Sequence, residues 1–371
     1  MGSLTLGNAQ PPRVQSFIMR LLGPGETPVH VTLDATLPKR VIDEIESDLT
    51  EYYVDASVAA KMNEALDAHA RAGDYNGLKD GNEFAEKLTG DLRAIGHDGH
   101  LRADFNPIEM PAPHVLTAED RVSMREQMLA GNCAFDKVEI LPGNIGYVKF
   151  DAFMDADICG ATVAAAMGFV AHADALIFGL RDNRGGQPAM ASLIASYLFD
   201  KPAHLNYLYD RHENSTTQFW TLAWVPGERK PTRPVFVLTS HRTFSGGEEF
   251  AYDLKTQKRA TIVGETTGGG AHPVSGHPVA DYFMIGVPFA TAINPITKTS
   301  WEGTGVEPDV KVSADDGLST AEKLAADQIH TSKAAEHAPP PGGSEPVIGD
   351  RQPSISTVAA RAAHRQHQIV L

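Results

Sequence analysis

The chain has 371 residues, of which 42% are apolar, 7% aromatic and 21% charged, enough for one large domain with a smaller companion or for two ordinary domains. Its 32 Lys and Arg stand against 47 Asp and Glu, a formal charge of −15. That balance argues against nucleic acid and anionic membrane surfaces as partners, because both select clustered cations. Cys133 and Cys159 are the two cysteines; they permit one bridge at most, and two buried thiols are the commoner arrangement.

Residues 1 to about 35 are punctuated by Gly and Pro, with a strand expected at VHVTL. The apolar run VQSFIMRLL is interrupted by Arg20, too short to span a bilayer and poor as the core of an export signal. A leader trimmed ahead of the opening MGS would leave no trace, so the compartment stays open. Three amphipathic helices are expected next, forming a small helical domain over residues 36–98. In LPKRVIDEIESDLTEYYV, Val41, Ile45, Leu49 and Tyr52 share one face. ASVAAKMNEALDAHARAG repeats the pattern and ends in Gly73 as a C-cap. GNEFAEKLTGDLRAI runs to Ile95.

From residue 99 to 330 the texture predicts an α/β core. Strand candidates GNIGYVKF, ADALIFGLRD, RPVFVLTS and RATIVGE alternate with helical stretches near 157–171, 187–199 and 246–256. Their continuous apolar runs suit a sheet covered on both faces. A last helix, GLSTAEKLAADQI, precedes HAPPPGGSEP, which has linker composition, so residues 331–371 are expected to form a flexible tail.

The chemistry concentrates in TFSGGEEFAYDL, Thr243 to Leu254. Ser245 stands between a strand-to-helix turn and a helix start. With Glu248 three residues on, a capping box explains it as a helix N-cap. The same layout is that of a nucleophile elbow, with unpaired amides and a positive dipole end beside the hydroxyl. Gly246 would let an acyl group approach, and its N–H would face a developing oxyanion. A serine nucleophile needs a base. His97 and His100 in GHDGHL, His241, and His272 and His277 in GGGAHPVSGHP are the candidates among 15 histidines. His100 lies where the helical segment meets the first core strand. A second turn, LRDNRGG, brings Gly185 and Gly186 as possible oxyanion donors, although an ordinary strand-to-helix turn reads the same way.

Taken together, IGHDGHLRADF, GNCAFDKVEILPGNIGYVKFDAF, ALIFGLRDNRGGQPAMASLIASYLFD, VFVLTSHRTFSGGEEFAYDLK, RATIVGETTGGGAHP and INPITKTSWEGTGVEPDV resemble the tail-specific, or C-terminal-processing, serine peptidase superfamily. The likeness is to the branch similar to interphotoreceptor retinoid-binding protein and the tricorn core protease, over roughly residues 35–330. It implies a crotonase/Clp-protease-like core of β-β-α units with a small N-terminal three-helix domain. It also implies Ser245 as nucleophile, Gly246 as one oxyanion donor, and Gly185 or Gly186 as the other. The processing branch places a lysine base about 25 residues after the serine, where this chain has GETTGGGAHP. The tricorn-like pattern instead fits His100 as base, with His97 the alternative, and Glu302 in SWEGTGVEPD as its orienting carboxylate. Tricorn has a serine where Gly99 precedes His100. Only about 45 residues separate His100 from Ile145, which leaves no room for the PDZ domain of the processing enzymes.

The expected function is a serine hydrolase, a peptidase acting through an acyl-enzyme on a peptide or small acyl substrate, with no cofactor and no metal. One alternative is a carrier of retinoid- or fatty-acid-like ligands on the same architecture; another is a repurposed hydrolase of small esters or amides. A metallohydrolase using His97, His100, His272 and His277 is disfavoured because HExxH is absent. A phosphate cradle at GETTGGGAHP lacks the Gly-Lys-Ser/Thr ending that a P-loop requires. Oligomeric state is not legible.

Overall fold

The computed structural model describes residues 2–6, 14–19, 36–107 and 117–336. The strand expected at VHVTL and most of the expected tail lie outside the described residues. Met1–His330 and Thr331–Leu371 are separate units, and the architecture below is that of the first.

Strands β1 (Gly2–Leu6) and β2 (Val14–Met19) pair antiparallel. Helices α1 (Leu37–Tyr52), α2 (Ala56–Ala72) and α3 (Gly81–Gly96) follow. Asp55 and Asp80 cap the second and third through their carboxylates, and Gly73 closes α2 in the left-handed conformation with φ 82°. Val41, Ile45, Leu49, Met62, Leu66, Phe84, Leu88 and Leu92 are buried along one face of each helix. They pack in one cluster with strand β3 (Arg102–Phe105) and with Val279, Phe283, Ile285 and Val287 from a later antiparallel strand pair.

Helix α4 (Ala118–Ala130) buries no residue; with no apolar stripe to read, it was invisible to periodicity. Strands β4 (Phe135–Leu141) and β5 (Ile145–Phe150) form a hairpin. Helix α5 (Ala156–Phe169), strand β6 (Ala175–Gly179), helix α6 (Pro188–Ala195), strands β7 (His204–Asp210), β8 (Ser215–Trp220) and β9 (Val235–Thr239), helix α7 (Gly246–Thr256) and strand β10 (Thr261–Gly264) come next. Strands β11 (Val274–Val279), β12 (Phe283–Pro288), β13 (Ala290–Ile293) and β14 (Val310–Lys311) precede helix α8 (Gly317–Glu336).

The central sheet has the order β14-β10-β9-β6-β5-β4. Its strands are parallel except β4. Every residue of β6 and β9 is buried, as the unbroken apolar runs require of strands covered on both faces. A large cluster including Phe150, Phe178, Val237, Phe250 and Leu254 fills one face; Ile177, Phe236, Ala321 and Ala325 fill the other. Two small sheets, β11-β12-β3 and β13-β7-β8, complete the unit. The α/β core thus carries a three-helix N-terminal part, and among the described residues no PDZ domain interrupts it.

Cys133 and Cys159 are joined in a disulfide, the one bridge that two cysteines permit and which their sequence left open. The bridge ties the turn before β4 to α5 across the intervening hairpin.

Candidate active site

Strands β6 and β9 are neighbours and parallel, so the turns at their C-terminal ends, LRDNRGG and HRTFS, emerge side by side. A crevice beyond the carboxyl ends of parallel strands is where α/β folds place ligands.

Ser245 heads α7 with φ 52° and ψ −123°. An ordinary N-cap has extended backbone; this conformation is unfavourable for a residue bearing a Cβ and costs on the order of 1–3 kcal/mol. The Glu248 carboxylate holds the turn. It is fully buried and accepts hydrogen bonds from the Ser245 N–H (2.8 Å), the Thr267 hydroxyl (2.5 Å), and the N–H groups of Gly269 (2.7 Å) and Gly270 (2.8 Å). Burial raises its pKa, and those four donors pull it back. The capping-box glutamate therefore clamps the serine turn to the glycine loop. With two of that loop's amides committed to Glu248, it lines the cleft and does not cradle phosphate.

Asn183, also fully buried, fixes the facing turn. Its amide donates to the Phe150 carbonyl (3.0 Å), its side-chain oxygen accepts from the Gly185 N–H (2.9 Å), and its backbone carbonyl accepts from the Phe244 N–H (3.0 Å). A Cβ on Gly185 would stand 2.7 Å from the Ser245 Cβ, and one on Gly246 would stand 3.0 Å from the Gly186 nitrogen. The three glycines and the serine are thus in contact across the two turns.

His100 reaches the same place from the helical side. Its backbone N–H donates to Asp98 Oδ1 (2.8 Å) in a short turn. The Arg93 guanidinium of α3 donates to the carbonyls of Gly99 and Leu101, both at 2.7 Å, clamping the backbone on either side of the histidine. The imidazole lies on the ring of Phe244, the residue before Ser245, with centroids 4.6 Å apart. A Cβ on Gly270 would meet His100 Cε1 at 2.7 Å, and one on Gly99 would meet Phe244 Cζ at 3.1 Å. The glycines in GGGAHP and before His100 are what let the loop and the imidazole close around Phe244.

Behind the imidazole stands a charged group that sequence reading resolved only in part. Asp98, 2% exposed, has Oδ1 at 3.5 Å from His100 Nδ1 and accepts from His272 Nδ1 at 2.7 Å through Oδ2. Burial would raise its pKa, but the neighbouring His100 imidazole, the hydrogen bond from His272 and that from the His100 backbone N–H prevail and hold the carboxyl well below the usual range. Glu302 sits beside them, accepting from the Ala271 N–H (2.5 Å) and lying 3.7 Å from His272 Nδ1. Burial raises its pKa. His272 is raised too: burial lowers it, but the Asp98 hydrogen bond and the charges of Glu302 and Asp98 outweigh that. Sequence reading named His272 as one of several candidate bases and gave Asp98 no role; the D-x-H spacing just before a strand is the local signal that could have singled Asp98 out.

The remaining candidates fall elsewhere. His97 is exposed and closes α3 in the left-handed conformation. His277 touches Ser275 and Asp48, and His241 pairs with Glu265. Lys255 donates to the Glu307 carbonyl and pairs with Asp309 at the far end of α7, about 15 Å along the helix from Ser245.

Comparisons with known proteins agree with this architecture. Mature CPAF is similar in fold, with a TM-score of 0.53 at 11% identity over 80% of this chain and 99% of that one. A lipoprotein from Streptococcus agalactiae gives a TM-score of 0.51 at 14% identity over 84% and 99%. The photosystem II D1 C-terminal processing protease gives 0.48 at 14% identity over 78% and 97%. Residues 144–312 match the model of peptidase family S41. Residues 31–135 match that of the N-terminal domain of S41 peptidases in eukaryotic IRBP. The two matches nearly abut and together span most of the chain, which belongs to peptidase family S41, a family of serine peptidases.

Proposed function

We propose that this chain cleaves peptides through an acyl-enzyme on Ser245, with His100 as general base and two carboxylates, Asp98 and Glu302, behind the imidazole. The observation that carries the reading is the backbone of Ser245, φ 52° and ψ −123°. A helix cap gains nothing from that conformation, whereas an exposed nucleophile at a sharp strand-to-helix turn requires it. His100 would take the hydroxyl proton on Nε2 as Ser245 attacks the carbonyl carbon, then deliver it to the leaving amine. Water, deprotonated by the same imidazole, would release the acyl group.

The oxyanion would be held by the N–H groups of Gly246 and Gly186. Gly185 is less suited because its N–H is already bonded to Asn183 Oδ1. Asp98 is the carboxylate nearer to His100 Nδ1, at 3.5 Å, a separation of the kind that tightens when substrate closes the site. It would hold the tautomer with the proton on Nδ1. Glu302, bonded to Ala271 and close to His272, would act on His100 through water or through the shared field. A carrier of apolar ligands finds less support. A groove of about 330 Å3 between α1 and α2, lined by Thr50, Asn63, Glu64 and Asp67 alongside three alanines, lies away from Ser245, and a carrier has no use for the Ser245 backbone conformation.

Hydrolysis of a peptide library tests the reading. Ser245→Ala and His100→Ala should abolish cleavage with the fold intact. Asp98→Asn should lose on the order of 10²–10⁴ in kcat, and Glu302→Gln less. Cleavage surviving in Ser245→Ala, or a Glu302→Gln loss exceeding that of Asp98→Asn, would overturn the assignment.

A further inference from the structure

The space behind His100 holds more than an orienting group needs. One ligand atom from each of Asp98, His100 and Glu302 lies within 4.8 Å of the others. The His100 side chain is 7% exposed, yet its Nδ1 has no hydrogen-bond partner, and neither has the buried Oε1 of Glu302. At 3.5 Å, Asp98 Oδ1 is too distant to satisfy that nitrogen well. A cluster of three ligand-type side chains thus contains two buried polar atoms without partners and an anionic carboxylate.

We propose that this cluster is an inhibitory site for a borderline divalent cation, with Zn2+ as the type. One imidazole and two carboxylates are ligands of the class such cations take, leaving a fourth position for water. Two carboxylates balance the charge of the ion. Each is held from behind: the His272 N–H bonds Asp98 Oδ2, and the Ala271 N–H bonds Glu302 Oε2. Outer partners of this sort orient ligands toward a metal. Zinc distances of about 2.0–2.2 Å set donor separations near 3.4 Å in a tetrahedron, so the cluster must draw in by about 1.4 Å at most. Rotation of the Glu302 side chain, which sits on a loop, can supply that.

Binding here would silence the serine. A neutral His100 that serves as base carries its proton on Nδ1 and a lone pair on Nε2. The metal takes the Nδ1 lone pair, so the Nδ1–H bond breaks and an Nε2–H bond forms, with no net change in protons. An imidazole protonated on Nε2 cannot accept the Ser245 proton. Inhibition rests on the proposed role of His100; binding does not.

The experiment separates the two. Tag-free Ser245→Ala protein, stripped with chelator, is titrated with ZnCl2 by calorimetry. One site per chain is expected, weakened about tenfold or more by adding either His100→Ala or the shape-conserving Glu302→Gln. It should be unaffected by His69→Ala, a surface residue paired with Asp74, and unmatched by MgCl2. In the Ser245-containing protein, zinc should suppress fluorophosphonate labelling, and chelator should restore it. No saturable zinc, or a site indifferent to both variants, overturns the cation site. Tight binding with undiminished labelling overturns the inhibition. Protein that never labels at Ser245 overturns the catalytic reading, while the titration still reports on the cation.

Discussion

Replacing Glu248 with Gln removes one charge and no volume, yet it should cost this protein both stability and reactivity. The carboxylate takes four hydrogen bonds: through Oε1 from Thr267 and Gly269, and through Oε2 from Ser245 and Gly270. The Gln carbonyl can keep one pair. Its NH2 group must then replace either Oε2, opposing the Ser245 and Gly270 N–H groups, or Oε1, opposing the Gly269 N–H beside the Thr267 hydroxyl. At least one donor then faces a donor in a fully buried place. Each lost bond to a charged acceptor is worth about 1.5–3 kcal/mol. Relief of the buried charge offsets part of that, which leaves a net loss of about 3 kcal/mol. For a unit of about 330 residues that loss lowers Tm by about 4 °C. Because either placement weakens the clamp between the Ser245 turn and the glycine loop, fluorophosphonate labelling should slow by about 10²-fold, the usual effect of a displacement near 1 Å. Thermal unfolding and timed labelling read the two effects on one sample. A variant melting within about 2 °C of wild type and labelling at the wild-type rate would refute the clamp.

Glu249 and Asp253, one turn apart on α7, are both buried. Burial pushes Glu249 up to about 7 and Asp253 well above the usual carboxylate range, with Glu249's charge adding to the latter. A raised native pKa means that stability from Glu249 is present below about 4.5 and lost as pH rises through about 7. Glu249→Gln should therefore raise Tm by several degrees at pH 8 and leave it near wild type at pH 5; equal effects at both would count against the pair. The disulfide closes a span of 26 residues, so Cys133→Ser with Cys159→Ser should cost about 3.5 kcal/mol in chemical denaturation. A denaturation midpoint unchanged by the double variant would mean that the bridge does not form. Gly186→Ala places a Cβ against the Phe153 backbone at φ 131° and should remove labelling together with several degrees of Tm; full retention of both would show that the turn is built differently.

Much of this molecule was legible from its residues. The strands now labelled β5, β6, β9 and β10 are unbroken apolar runs and declared themselves as buried parallel strands. The helices α1 to α3 carry clean apolar stripes and capping signals. By contrast, β8 is exposed along nearly its whole length, and β11 contains Gly276 and Pro278, so neither alternates in the way that marks a half-buried strand. At the site, Ser245, Gly246, the LRDNRGG turn and His100 were readable because turn chemistry, a strand end and a domain junction each leave a local mark. The clamp by Glu248, the Asn183 lock on Gly185, and the bond from His272 to Asp98 were not. Their partners are 21, 2 and 174 residues apart in the chain. Even the two-residue Asn183 bond matters only because another turn closes against it. Such bonds are set by which elements the fold brings together, and periodicity and spacing carry no record of that.

The account turns on whether the Ser245 hydroxyl is a nucleophile activated by the His100 imidazole. Labelling with a fluorophosphonate, followed by mass-spectrometric mapping of the modified peptide in wild type and in His100→Ala, asks that directly. The expected result is a single adduct on Ser245 in the wild type and none on the same timescale in the variant. An adduct on another residue, or undiminished Ser245 labelling without the imidazole, would contradict it.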